Sequence, residues 1–196
     1  MVRTITVVQD TREQRPLTFP EHLVTMASDQ LGKPVTVRVQ VVKQTLETGD
    51  YLLRGFETHT IIERKGSLDE IATNCLNRTD RARFTKCCVR LAGSCRDPWV
   101  FLEGCPTSLL GRDIVARSGA LGGVAVDALL RLLDSHGIGL MLLPCGTSNQ
   151  RRAAGEWVLR KLLSGALATP EPRVVQVGPQ MDLPSGGIEG GTSRVP

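Results

Sequence analysis

The chain has 196 residues, 41% of them hydrophobic, and carries a formal charge of +4 with a pI of about 8.9. That length suits one domain with residues to spare, and the apolar content supports a sizeable core. No stretch reaches the roughly 18 apolar residues of a membrane-spanning helix, and Met1-Val2-Arg3-Thr4-Ile5 lacks the basic and apolar regions of a signal peptide, so neither is expected.

Thr4-Ile5-Thr6-Val7-Val8-Gln9 is short and β-branched and stops at the polar run Asp10-Thr11-Arg12-Glu13, which predicts a strand ending at Asp10. Residues 20–32 are read as a helix with Leu23, Met26 and Leu31 on one side. Val35, Val37, Val39 and Val41 alternate with polar residues, the pattern of a strand with one buried face. Residues 49–53 and 59–65 read as two strands joined by a loop containing Gly55.

Ser67-Leu68-Asp69-Glu70 matches a Ser-x-x-Glu capping box and predicts a helix start. A second helix is expected from about Asp80 to Leu91, with Phe84, Cys88 and Leu91 on one face and Arg83, Lys86 and Arg90 on another. Trp99-Val100-Phe101-Leu102 is a buried strand, residues 121–136 a helix closed by Gly137, residues 138–143 a last core strand, and residues 148–163 a final helix. Strands alternating with helices predict an α/β domain with a mixed central sheet flanked by helices, over residues 1–167. From Pro170 onward ten of 27 residues are proline or glycine, so residues 168–196 are expected to form a flexible tail.

The six cysteines form no repeated Cys-x-x-Cys pair, and they read as reduced thiols in small core positions of a cytoplasmic protein. His22, His59 and His136 show no ligand spacing, and Trp99 and Trp157 read as core rather than base-stacking platforms.

The carboxylates carry the chemistry. If the two strands pair around a loop centred between Phe56 and Glu57, Tyr51 faces Ile62 and Asp50 faces Glu63, and directly opposed residues have Cβ atoms about 4.5–5.5 Å apart. Lys65, two residues beyond Glu63, shares its face. Two adjacent carboxylates among apolar strands repel each other unless compensated. A divalent cation, Mg2+ or Mn2+, compensates them and keeps open positions for a phosphate oxygen. A surface Glu–Lys pair on a structural hairpin would show the same three residues.

Gly49-Asp50, a spacer, then Glu63-Arg64-Lys65-x-x-x-Asp69, preceded by Asp10-Thr11-Arg12-Glu13 at the end of the first strand, resembles the signature of the XPF-type structure-specific endonucleases over about residues 4–145. The resemblance implies a restriction-endonuclease-like fold and metal-dependent phosphodiester cleavage. Asp50, Glu63 and Asp10 would hold metal, Lys65 would be the catalytic lysine, and Arg64 belongs to the catalytic set, although it could instead bind phosphate or pair with Glu13 or Asp69. Glu13 and Asp69 belong to the motif without an assigned role, and Asp69 also suits the start of a helix whatever its function.

DNA is the implied partner, with Arg83, Lys86, Arg90 and Arg12 as backbone contacts; a solvated helix face is the alternative for the basic stretch. No helix-hairpin-helix module fits after Leu143, so a stand-alone nuclease domain of bacterial or phage type is expected, in the cytoplasm of that cell. Leu129, Leu130, Leu132, Leu133, Val158, Leu159, Leu162 and Leu163 fit either a homodimer face or core packing. Branched or flapped DNA is the implied substrate, and the rival reading is a non-catalytic DNA-binding partner subunit.

Overall fold

The structure, a computed structural model, describes residues 3–26, 34–111 and 113–167. Seven strands form one sheet: β1 (Arg3–Asp10), β2 (His22–Met26), β3 (Pro34–Gln44), β4 (Tyr51–Leu53), β5 (Thr60–Lys65), β6 (Asp97–Glu103) and β7 (Gly139–Leu143). Their order is β2-β3-β1-β4-β5-β6-β7. The β1–β3, β5–β6 and β6–β7 pairs are parallel; β2–β3, β1–β4 and β4–β5 are antiparallel. The sheet is mixed and the fold α/β, as the alternation of strand and helix patterns implies.

Both faces are covered, which explains why the central strands are nearly continuous apolar runs. Leu52, Ile61, Val100 and Leu102 pack on one face with helices α1 (Leu68–Leu76), α2 (Arg78–Ser94) and α4 (Gly122–Asp134). Their sequence neighbours Tyr51, Ile62 and Phe101 point to the other face, against Val158, Leu159 and Leu162 of helix α5 (Ser148–Leu167). A short helix α3 (Pro106–Leu109), not expected from the sequence, precedes α4.

One expected helix is a strand. Residues 22–26 form β2, antiparallel to β3, with Leu23 buried and Val24 exposed. The alternation His-Leu-Val-Thr-Met suits a pleated edge, and pairing with the eleven-residue β3 overrides the three-residue spacing of Leu23 and Met26. Residues 27–33, including Leu31, lie outside the described residues, as does the expected tail at 168–196. Helix α2 begins at Arg78, earlier than expected, because the Asn77 side chain accepts the Thr79 and Asp80 N–H groups as an N-cap.

Seven of the eight leucine and valine residues considered for a dimer face are buried in this chain's own core, and only Leu130 is exposed. Core packing therefore accounts for those seven. Trp157 is exposed, against the expectation that it belongs to the core. All six cysteines are free, and Cys75, Cys88 and Cys145 are buried, where desolvation pushes their thiols up to about 11, 12 and 11. Among the described residues no helix is long and apolar enough to cross a membrane.

Candidate active site

The site begins with the turn into β4. Gly49 has φ +74, and a Cβ built there would lie 2.2 Å from the Ile61 Cγ2 methyl. Only glycine fits that contact and that conformation together. The next residue, Asp50, is pinned on both sides: its N–H donates to Ile62 O (2.8 Å) and its carbonyl accepts the Asp10 N–H (2.9 Å). Tyr51 pairs with Ile62, the register inferred from the sequence, so Asp50 lies beside Glu63 at the end of β5.

The Asp50 Oδ2 accepts the Arg64 N–H at 2.6 Å, and its other carboxylate oxygen has no hydrogen bond among the described residues. Burial, then the charge of Glu63, pushes Asp50 up to about 7; the Arg64 N–H offsets part of this. Lys65 Nζ donates to Glu63 Oε1 (2.8 Å), lies 3.3 Å from Glu70 Oε1 and stands 4.9 Å from the centre of the Phe84 ring. Burial by itself would lower the Lys65 pKa, but the charges of Glu63 and Glu70 outweigh it and hold the ammonium above its ordinary range. These three side chains open onto a polar cleft of about 380 Å³, whose rim includes Arg12, Glu13, Arg15, Ser67 and Glu70.

Arg64 points the other way along β5. Its Nη1 donates to Glu13 (2.9 and 3.1 Å) and its Nε to Glu103 at the end of β6 (2.8 Å). Arg151 of α5 completes the chain at 3.1 Å from Glu103. Two cations and two anions, all largely buried, thus tie β5, β6, α5 and the loop after β1 together, and Arg64 and Glu13 of this set also line the cleft. Of the two partners considered for Arg64 from the sequence, Glu13 is the one it meets.

Asp10 does not line the cleft. Its Oδ1 accepts the Arg12 N–H (2.6 Å) and Nε (2.9 Å), and its Oδ2 accepts Arg12 Nη2 (2.7 Å) and the Leu46 N–H (2.9 Å). These bonds, led by the guanidinium, hold its carboxyl down at about 2 despite burial. Asp69 is also outside the cleft: its carboxylate takes the Arg117 N–H (2.7 Å) and Nε (3.2 Å). Arg83, Lys86 and Arg90 are exposed along α2, the helix whose Phe84 underlies Lys65. Arg83 lies 3.7 Å from Asp80.

Sequence reasoning missed Glu70, Glu103 and Arg151. The capping-box spacing gives Glu70 only a capping role. Ser67 does cap α1 by accepting the Glu70 N–H, but the Glu70 carboxylate takes the Gly66 N–H (2.7 Å) and reaches Lys65. Glu103 ends a strand parallel to β5, so its strand-end position next to the motif was a usable signal. Arg151 carried none.

Among the described residues no group of three or more histidine, cysteine or carboxylate side chains is arranged to hold a metal ion. The candidate is a two-carboxylate pair, Asp50 and Glu63, each with an oxygen left over from its protein hydrogen bonds. A second, apolar pocket of about 240 Å³ lies at the opposite end of β1, lined by residues such as Ile5, Val35 and Leu163, and holds no carboxylate.

No family model and no curated protein matches the chain. Solved structures do. The chain is similar to XPF from Aeropyrum pernix in complex with DNA, with a TM-score of 0.51 and 24% identity over 86% of this chain and 69% of that one. It is also similar to XPF from Aeropyrum pernix, with a TM-score of 0.48 and 24% identity over 81% and 67% of the two chains. The likeness to the DNA complex establishes a shared fold.

Proposed function

We propose that this protein is a divalent-metal-dependent endodeoxyribonuclease of the XPF type, acting on branched or flapped DNA in repair, recombination or phage DNA processing. The observation that carries the reading is the convergence of Asp50, Glu63 and Lys65 on one polar cleft, with burial and the charge of Glu63 raising Asp50 to about 7. Two close carboxylates are the donor set that Mg2+ or Mn2+ accepts while keeping open positions. Bound there, the cation supplies positive charge that polarises a phosphodiester and activates a water.

The rest is the work of the chain itself. Asp50 and Glu63 hold their free oxygens toward the cleft because the Arg64 N–H and Lys65 Nζ occupy the others. Lys65, fixed between Glu63 and Glu70, offers a preorganised positive charge to the oxygens that gain charge during cleavage. Arg83, Lys86 and Arg90, exposed on α2, supply counter-charge for the sugar-phosphate backbone. The fold shared with a protein solved in complex with DNA is in keeping with such a partner.

The test is a panel of labelled single-stranded, duplex, flap, fork and four-way DNA with Mg2+, Mn2+ or EDTA. The expected result is metal-dependent cutting by the wild type, lost in Asp50→Ala and Lys65→Ala while DNA binding persists. Cutting that survives EDTA sinks the proposal; binding without cutting on every substrate points to the non-catalytic partner subunit instead.

A further inference from the structure

Arg12 occupies an unusual position for an exposed arginine. Its side chain is 66% exposed at the rim of the cleft, close enough to feel the charges of Asp50 and Glu63, yet it pairs with neither. It is turned instead onto Asp10, whose side chain is 1% exposed and whose position is fixed by the Leu46 N–H and the Arg12 N–H.

The grip is side-on: Nε and Nη2 meet the two Asp10 oxygens, and Nη2 also donates to the Leu46 carbonyl (2.7 Å). Such a paired contact fixes the plane of the guanidinium as well as its place. One edge is consumed, and Nη1 carries no hydrogen bond among the described residues. Held by Asp10 and Leu46, the guanidinium makes no hydrogen bond to the carboxylates of Asp50 and Glu63.

We propose that Arg12 is a preset phosphate clamp at the rim of the cleft, and that Asp10 is its positioning residue. Arg12 takes a DNA phosphate adjoining the one at Asp50 and Glu63, and the clamp is rigid before the ligand arrives, so little side-chain freedom is lost on binding. This rests on the DNA-binding reading above and assigns Asp10 a different role from the metal ligation implied by the family resemblance.

The sign of one substitution decides it. Removing an acidic group near a DNA surface ordinarily tightens binding, because a repulsion is lost. If Asp10 positions Arg12, Asp10→Asn weakens binding instead. The probe is a fluorescein-labelled forked 40-mer, titrated by anisotropy in EDTA at several salt concentrations, so that no metal ligation contributes.

Arg12→Gln and Arg12→Lys are expected to raise Kd about fivefold, and Arg12→Gln to reduce the salt slope by about one phosphate contact. Asp10→Asn is expected to weaken binding to a similar extent in the wild type and to have no weakening effect in the Arg12→Gln background. Circular dichroism and thermal melts accompany every variant; if Asp10→Asn does not fold, Arg12→Lys keeps the test, since it retains charge but not the side-on grip.

Wild-type affinity in both Arg12 variants, with the wild type binding the fork, overturns the clamp and leaves the DNA reading standing. Tighter binding by Asp10→Asn overturns the positioning role. A wild type that does not bind the fork overturns this inference and the DNA reading together.

Discussion

Gly49→Ala tests the geometry that delivers Asp50 to the cleft. At φ +74 an alanine sits in the left-handed region, a strain of about 1–2 kcal/mol. Its Cβ would also stand 2.2 Å from Ile61 Cγ2 and 3.3 Å from the Ile62 carbonyl, and overpacking of a core contact adds about 1–3 kcal/mol. The expected destabilisation is therefore about 2–5 kcal/mol, read as a fall in the urea midpoint at unchanged m-value.

Ile61→Leu moves the branch away from Cβ and removes Cγ2, so it should recover the overpacking part but not the backbone part. A double-mutant cycle should return a coupling of about 1–3 kcal/mol. If Gly49→Ala lies within about 0.5 kcal/mol of wild type, or if the cycle is additive, the account of this turn is wrong.

Glu103→Gln leaves Arg64 and Arg151 without their shared carboxylate in a largely buried setting, and should destabilise by about 3–5 kcal/mol, more than Arg151→Gln, whose side chain is the most exposed of the four; paired chemical denaturation curves check the ranking. Asp10 has a folded pKa of about 2 against an ordinary 3.8, so its stabilising contribution is fully present above pH 3.8 and is lost as pH falls through about 2. Allowing for the exposure of Arg12, that contribution is about 1–2 kcal/mol, and the gap between wild type and Asp10→Asn in urea midpoint should be flat near neutrality and close below pH 3.8. Asp69→Ala removes an ion pair whose arginine is 93% exposed, so beyond the lost N–H acceptor it should shift stability by no more than about 1 kcal/mol, checked by thermal melting.

The sheet was readable in the sequence where burial is two-sided or strictly alternating. Val7-Val8, Ile61-Ile62 and Val100-Phe101-Leu102 announce themselves as strands because both faces of the sheet are covered. The β4–β5 register follows from counting back from a loop centred between Phe56 and Glu57, and it places Asp50 beside Glu63. The edge strand β2 was misread because five residues of mixed polarity carry too little periodicity to separate a strand from a helix, and its partner β3 decides the matter.

Within the site, residues on one strand or one hairpin could be placed by local rules. Glu70 lies close in sequence to Lys65, but the other missed contacts cross long separations: Glu103 meets Arg64 from the next strand, and Arg151 meets Glu103 from the last helix. Asp10 shows the same limit in a different way. Its sequence position at the end of β1 puts it near the cleft, but only the fold shows that Arg12 and Leu46 have already taken its oxygens.

If Asp50 and Glu63 form the proposed cation site, Lys65 lies beside it and is not part of it. Mn2+ titration followed by electron paramagnetic resonance, without DNA, tests this most directly. A saturable site is expected in the wild type, lost in Asp50→Asn and retained in Lys65→Met. Mn2+ binding that is unchanged in Asp50→Asn would contradict it.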